Sequence, residues 1–247
     1  MQKSVLVIGS GIAGISASLK LKTYGVNSVI IDKGRFIGGR ISSREIKETN
    51  YTNYFFHGAQ FFTAKSKSFK KVIEQGIKNN FIKEFGNFHP PRFRGHKTMR
   101  EFLTNLTVNL NVQQNKKIVC LKPSQKGISV LKENIKTWQN LDAVISTIPS
   151  PQNFSLMEKF PELQKTLDKS SYDSCIALMF SFNEIPKNIP IYFDFNKKRG
   201  ILSWMACGSN LNVWTAHTKG SYANKNLNQN KDHLKKEILL AIQKALS

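Results

Sequence analysis

The stretch VLVIGSGIAG, residues 5–14, decides the fold. Its first four residues form an uninterrupted apolar run, which is typical of a strand buried on both faces. Apolar residues at helical spacing follow from Ile15, and Gly25 stands where a glycine commonly ends a helix. A second apolar run, Val29-Ile30-Ile31, leads directly to Asp32. The sequence therefore predicts a βαβ unit.

Three glycines in this stretch, Gly9, Gly11 and Gly14, have the G-x-G-x-x-G spacing. The first permits a tight turn, the second lets the backbone approach a diphosphate, and the third lets the helix pack close to the strand. An anion then lies against free N–H groups at the positive end of the helix dipole. This pattern predicts a dinucleotide site, with Asp32 as an acceptor for the adenosine ribose. A glycine-rich turn without a ligand is the alternative.

A second glycine motif, Gly38-Gly39-Arg40, follows the second predicted strand. Its glycines permit another close backbone approach, and the arginine guanidinium can pair with two diphosphate oxygens. At this distance from the first motif, it favours FAD over NAD as the dinucleotide. The alternative is a surface loop arginine.

Composition limits the remaining classes of function. The 247 residues carry 37 Lys and Arg against 16 Asp and Glu, for a net charge of +21, but the basic residues are scattered. No nucleic-acid module is recognisable, so the charge indicates either attraction to polyanions and anionic cofactors or a compositional bias. No apolar run reaches the roughly 20 residues of a membrane span, and Met1-Gln2-Lys3 does not begin a signal peptide. We predict a cytoplasmic protein without specific nucleic acid or membrane partners.

The cysteines, Cys120, Cys175 and Cys207, are too widely spaced to indicate a disulfide framework or a zinc site. We predict that all three are buried reduced thiols and that the chain holds no metal. The remaining patterns predict helices over 67–79 and 99–106, a hairpin over 117–131, a buried strand over 142–148 and a C-terminal helix. Three further strands are predicted over 176–182, 201–206 and 212–217.

Several segments together resemble the renalase-type branch of the FAD-dependent amine-oxidase-like superfamily. They are IDKGRFIGGRISS (31–43), HGAQFFTA (57–64), ISTIPSPQ (145–152), the strand over 172–182, Trp204 and WTAH (214–217). The resemblance covers nearly the whole chain, and HGAQFFT is its most discriminating segment because the wider superfamily shares only the glycine motif.

The resemblance implies an α/β protein with a discontinuous Rossmann-type FAD-binding domain and an inserted α+β substrate domain. We expect the FAD domain over residues 1–60 and 112–150, and the substrate or cap domain over 61–111 and 151–247. The motifs and the resemblance together predict these FAD contacts: Gly9, Gly11, Ile12, Ala13, Gly14, Asp32, Lys33, Gly38, Gly39, Arg40, Gly58, Ala59, Gln60, Phe61 and Ile118.

The function implied is hydride transfer from a reduced nicotinamide-type substrate to FAD, which oxygen then reoxidises. Four residues are expected near the flavin or in the substrate wall: Gln60, Phe61, Trp204 and His217. The alternatives are core aromatic residues for Phe61 and Trp204, and hydrogen-bonded histidines without a proton role for His57 and His217. Alternative functions are an FAD- or dinucleotide-binding remnant without turnover, a flavin amine oxidase and a nucleic-acid-associated protein.

The sequence departs from this family in its last third. Residues 205–211 replace an Arg-Asn pair and a Lys-Pro turn, so substrate-facing polar groups are missing. The chain ends at Ser247, before the family's final Gly-Asp strand and its flavin-facing helix. We therefore expect weak FAD binding and low stability, or a separate chain that supplies the missing element.

Overall fold

The computed structural model describes residues 3–47, 52–125, 127–135 and 139–246. Met1 and Gln2, which precede the predicted first strand, and Ser247 lie outside these residues. The strands are β1 Val5–Ile8, β2 Ser28–Ile31, β3 Arg44–Lys47, β4 Thr52–Phe55, β5 Ile82–Glu84, β6 Phe93–Gly95, β7 Asn111–Gln113, β8 Ile118–Ser124, β9 Gly127–Lys132, β10 Gln139–Leu141, β11 Ala143–Ser146, β12 Ala177–Ser181, β13 Tyr192–Asp194, β14 Leu202–Cys207 and β15 Val213–Thr218. The helices are α1 Ile12–Thr23, α2 Lys67–Lys78, α3 Met99–Leu106, α4 Ser150–Leu156, α5 Pro161–Asp168, α6 Gly220–Asn226 and α7 Lys231–Leu246.

The chain forms two compact units, and each is discontinuous in sequence. The first contains residues 1–41 and 103–171, and the second contains residues 42–102 and 172–247. One of the three boundaries between them along the sequence falls within α3.

The first unit is built on a parallel sheet with the strand order β11-β1-β2-β7. All four residues of β1 are buried because the strand lies between two neighbours, which explains its unbroken apolar run. The predicted βαβ unit is confirmed, and Gly25 follows the end of α1 with a φ of +73°. The predicted strand over 142–148 is also confirmed, since β11 pairs with β1.

An antiparallel sheet, β10-β9-β8, completes the first unit with α4 and α5. The β8–β9 hairpin has the predicted position. One hydrophobic cluster joins residues of the two sheets and α4; its buried members are Leu6, Ile8, Ile31, Ile118, Leu121, Val130, Leu141, Leu156 and Met157.

The second unit is built on an antiparallel sheet with the order β12-β15-β14-β13, accompanied by the hairpins β3–β4 and β5–β6. Every residue of β15 is buried. The core of this unit surrounds Trp214, which is fully buried; its other buried members are Phe85, Phe195, Leu202, Met205, Ala206, Cys207, Ala216, Ile238 and Ile242. β13 was not predicted, because a strand of three residues is too short to show periodicity.

The unit boundaries differ from those expected from the sequence. Residues 42–60 belong to the second unit, where Ser209 N–H donates to the Tyr54 carbonyl at 3.0 Å. Residues 151–171 belong to the first unit, because Leu156 and Met157 are buried in its hydrophobic cluster. Residues 103–111 likewise belong to the first unit.

Three local expectations require correction. Cys207 is buried, but Cys175 is exposed and Cys120 is only half-buried, because periodicity does not fix the burial of isolated cysteines. Ile77, on the predicted apolar stripe of α2, is 43% exposed. Gly76 is buried in its place, since α2 packs so closely on β5 that a Cβ there would overlap the Ile82 side chain.

No helix within the described ranges is long and apolar enough to cross a bilayer. Over the same ranges, no cluster of three or more His, Cys, Asp or Glu side chains is placed to hold a metal ion.

Candidate functional site

Two of the three glycines in the first motif are required by the packing of the turn between β1 and α1. Gly9 has a φ of +104°, and a Cβ there would lie 2.8 Å from Thr147 Oγ1. A Cβ on Gly14 would overlap the carbonyl oxygen of Gly9 itself. The start of α1 therefore lies directly against the end of β1, as the motif predicts.

Gly11 has a different environment. It is the N-cap of α1, it makes no side-chain cap, and a Cβ there would meet no atom within 4 Å. The first-turn N–H groups of Ile12, Ala13 and Gly14 have no intrahelical acceptor, and this turn carries no acidic residue. The helix therefore presents free donors and its positive dipole end beside open space, which suits a diphosphate.

Asp32 fixes the conformation of the glycine turn. Its Oδ2 accepts from the Ser10 backbone N–H at 2.6 Å and from the Ser10 hydroxyl at 2.7 Å, while Oδ1 accepts from Gly34 N–H at 2.6 Å. Ser10 is fully buried. The structure thus gives Asp32 an anchoring role that the sequence did not indicate, and Oδ1, which accepts one hydrogen bond, retains acceptor capacity for a ribose hydroxyl.

The second glycine motif lies against the first. Gly38 N–H donates to the Ser10 carbonyl at 3.1 Å, and a Cβ on Gly39 would lie 3.6 Å from the Cα of Gly11. Gly38 and Gly39 have φ values of +121° and +53°, which L residues rarely adopt. Arg40 follows in a short 3₁₀ turn, is exposed, and forms no ion pair or hydrogen bond with the rest of the described chain.

The other predicted contacts of the first unit have contrasting positions. Lys33 is exposed in the loop after β2. Ile118 is 5% exposed and belongs to the hydrophobic cluster of the unit. Its expected contact with adenine stays a prediction.

In the second unit, the predicted residues Gln60, Trp204 and His217 converge on β15. Gln60 is 3% exposed, and its Nε2 donates to the Thr215 carbonyl at 3.0 Å. Trp204 is paired with His217 across β14 and β15, and their rings pack edge to face at 5.4 Å. His217 Nε2 lies 3.1 Å from the carbonyl oxygen of His57.

Four buried polar atoms of this group have no hydrogen-bond partner within the described chain. They are Nδ1 of His57, Oε1 of Gln60, Oγ1 of Thr215 and Nδ1 of His217. Buried polar atoms are nearly always satisfied in folded proteins, so such a concentration needs an explanation. A ligand carrying several hydrogen-bonding groups provides one.

Both histidines are neutral near pH 7. Burial lowers the pKa of His57 below its usual 6.5, and the nearby Arg44 and Arg100 lower it further. Burial also lowers the pKa of His217; the His57 carbonyl opposes this effect and the His57 ring adds to it. The Ser42 hydroxyl lies 2.9 Å from His57 Nε2. These imidazoles can therefore exchange hydrogen bonds with a ligand without adding positive charge.

Phe61 belongs to an aromatic cage that the sequence did not indicate. The guanidinium of Arg92 lies 4.4 Å from the ring centroid of Phe61, 4.1 Å from that of Phe88 and 4.4 Å from that of Tyr192. Gly58 and Ala59, which precede Gln60, are half-buried. The cage residues come from three separate stretches of sequence, so no linear motif could have revealed it.

Comparisons with known proteins agree with this geometry. Residues 7–75 match the family described as NAD(P)-binding Rossmann-like domain. The solved structure of a protein of Exiguobacterium sp. 255-15 that is named a protoporphyrinogen oxidase has a TM-score of 0.74 at 10% identity, over 99% of this chain and 83% of that one. The fold is Rossmann-like, and it matches the folds of FAD-dependent oxidases.

Two further solved structures match nearly the whole chain at low sequence identity. The CLA-producing fatty acid isomerase of P. acnes has a TM-score of 0.72 at 9% identity, over 98% of this chain and 82% of that one. A putrescine oxidase triple mutant has a TM-score of 0.71 at 10% identity, over 97% and 80%. One curated relative, lysine-specific histone demethylase 1 of Caenorhabditis elegans, is 44% identical over 46 residues, which span 19% of this chain and 6% of that protein.

We predict that Gly14→Ala destabilises the protein by about 1–3 kcal/mol, because the new methyl group overlaps a backbone oxygen that cannot move freely. In an ordinary helix the same change is stabilising by about 1 kcal/mol. Gly11→Ala, which enters open space, is the control and changes stability by less than about 1 kcal/mol. Urea denaturation followed by circular dichroism measures both, and equal effects would contradict the packing described.

We also predict that stability decreases as the pH falls below about 6.5. Because the pKa values of His57 and His217 are lowered in the folded chain, the unfolded chain takes up protons that the folded chain excludes. The full stability is therefore present only at a pH above the histidine pKa of the unfolded chain, and it decreases as the pH falls. In urea denaturation at about pH 7.5 and about pH 5.5, His217→Gln reduces the difference between the two midpoints. An unchanged difference between the two midpoints in this variant would count against the buried neutral pair.

Proposed function

We propose that this chain is an FAD-dependent oxidoreductase of the renalase-like type, which accepts a hydride from a reduced nicotinamide or a similar small donor. The observation that carries this proposal is the contact between the two glycine motifs. Gly38 donates to Ser10, Gly39 lies against Gly11, and Arg40 is left free beside them. One helix N-terminus and one unpaired guanidinium therefore belong to the same part of the first unit.

This arrangement fits FAD on the chemistry of its donors. The first-turn N–H groups of α1 and the Arg40 guanidinium supply neutral and charged donors suited to a diphosphate. Asp32 Oδ1 supplies an acceptor for the adenosine ribose, while Ser10 holds the carboxylate in place through Oδ2. The second motif is the feature that favours FAD over NAD.

When bound, the flavin supplies the hydride acceptor and is reoxidised by oxygen. The chain supplies binding and orientation. In the second unit, the buried Oε1 of Gln60 and Oγ1 of Thr215 have no hydrogen-bond partner among the described residues, so they are available to a polar ligand. Trp204 and His217, packed edge to face, supply part of the substrate wall.

The aromatic cage of the second unit supports a nicotinamide-type donor over an amine. Aromatic faces attract organic cations, and a flavin amine oxidase would use them for its substrate. Here the faces of Phe61, Phe88 and Tyr192 are already occupied by the guanidinium of Arg92. A second cation would be repelled by it.

The direct test is anaerobic mixing of the FAD-loaded chain with reduced nicotinamide isomers, followed by flavin absorbance. We expect bleaching of the flavin band with these donors, recovery on adding oxygen, and no bleaching with putrescine. Bleaching by putrescine alone would establish an amine oxidase. Binding of FAD without bleaching by any donor would establish a dinucleotide-binding remnant.

We predict that Arg40→Gln weakens FAD binding about tenfold, because it removes a charge-assisted contact with the diphosphate. Arg35→Gln is the matched control, since Arg35 is an exposed arginine of the same loop that contacts the Phe36 ring. Quenching of FAD fluorescence measures both affinities. Equal losses would show that only the general positive charge of the chain matters.

The cytoplasmic location and the separate chain expected from the sequence stay predictions.

A further inference from the structure

The β5–β6 hairpin carries three cations on one face. Lys83 and Arg94 are direct cross-strand partners. Phe85 N–H donates to the Arg92 carbonyl at 2.8 Å, which extends the ladder by one pair. Arg92 and Arg94 are two residues apart in extended backbone, so their side chains leave the hairpin on the same side. Like charges placed directly opposite each other destabilise a sheet unless something compensates them.

No carboxylate provides that compensation within the part of the chain that the structure describes. The ion pairs found there involve none of the three cations. The Glu101 carboxylate raises the pKa of Lys83, but burial and the Arg94 guanidinium lower that pKa more. The three positive charges are therefore partly desolvated, and none of them has an ion-pair partner among the described residues.

The two guanidinium groups are held rigidly and keep unused donors. Arg94 is 9% exposed; its Nη1 donates to the carbonyls of Gly208 at 2.8 Å and Cys207 at 3.3 Å, while its Nε has no hydrogen-bond partner among the described residues. Arg92 lies among three aromatic rings, and its buried Nη1 likewise has no partner in the described part of the chain. A guanidinium fixed in this way has already lost the side-chain entropy that binding an oxyanion would cost.

We propose that Arg92 and Arg94 bind the anionic group of a small molecule, either a carboxylate or a phosphate, and that this molecule is the substrate. The two unused donors, Arg92 Nη1 and Arg94 Nε, donate hydrogen bonds to the oxygens of this group. A carboxylate and a phosphate can each present two oxygens to the fork of Arg92 in the bidentate geometry that guanidinium groups favour. The rings of Phe61, Phe88 and Tyr192 keep that fork in place and exclude water from one side. The word substrate rests on the proposed function; the anion site itself does not.

The test is a titration of the purified full-length chain, followed by ¹⁹F NMR of the ligand at a salt concentration of about 0.15 M to screen nonspecific attraction. The probes are 4-fluorobenzoate, 4-fluorophenyl phosphate and the neutral 4-fluorobenzamide. We expect one of the two anions to bind at least about tenfold more tightly than the amide. The anion that binds more tightly identifies the group, carboxylate or phosphate, that the site accepts.

The variants separate the site from the general charge of the protein. Arg92→Gln is expected to raise the Kd of the preferred anion at least about tenfold, and Arg92→Lys less, because lysine keeps the charge but loses the fork. Arg199→Gln removes an exposed arginine of the same unit and is expected to change the Kd less than about twofold. Circular dichroism verifies that each variant is folded.

Three results would overturn the proposal: equal effects of the Arg92 and Arg199 variants, equal binding of the amide and the anions, or no binding of either anion up to about 10 mM. Because all the residues involved belong to the second unit, the titration does not require FAD. If the chain binds the anion but its bound flavin is not reduced by any donor, the proposed function is contradicted and the anion site remains established.

Discussion

The close contact between Gly14 and the Gly9 carbonyl is the constraint on which the first unit depends. It places the start of α1 directly against the end of β1. Asp32 then connects the turn between β1 and α1 to the end of β2 through Ser10, and the Ser10 carbonyl accepts from Gly38. A single short turn thus positions two parallel strands, a helix and a second glycine loop.

The second unit is distinguished by the polar side chains that it buries. His57, Gln60, Thr215 and His217 each keep a buried atom without a partner. Burial lowers the pKa of both histidines, so they stay neutral near pH 7. Arginine cannot lose its charge in this way, and the guanidinium groups are instead stabilised by contacts with aromatic rings and backbone carbonyls. This unit therefore contains both neutral and cationic recognition groups, which suits a ligand with both a polar heterocycle and an anionic group.

The sequence predicted the parts of the fold that depend on periodicity and local chemistry. The βαβ unit, α2, α3, the β8–β9 hairpin and the helix at the C-terminal end are apparent because buried strands and amphipathic helices have characteristic spacing. β13 was missed because it has three residues, and the unit boundaries were misplaced because they depend on tertiary contacts such as that between Tyr54 and Ser209. Ser10 was overlooked between two glycines, although its position next to an acid-anchored turn is a usable signal. The Arg92 cage joins distant segments and could not have been found from spacing.

The central claim is that the two glycine loops recognise the diphosphate of FAD. Equilibrium dialysis of the purified chain against FAD and, separately, against riboflavin tests it most directly, because riboflavin has the same ring system but no diphosphate or adenosine. The account predicts that FAD is retained and that riboflavin binds at least about a hundredfold more weakly, since it cannot use the helix N-terminus or Arg40. Equal retention of the two flavins, or retention of neither, would contradict it.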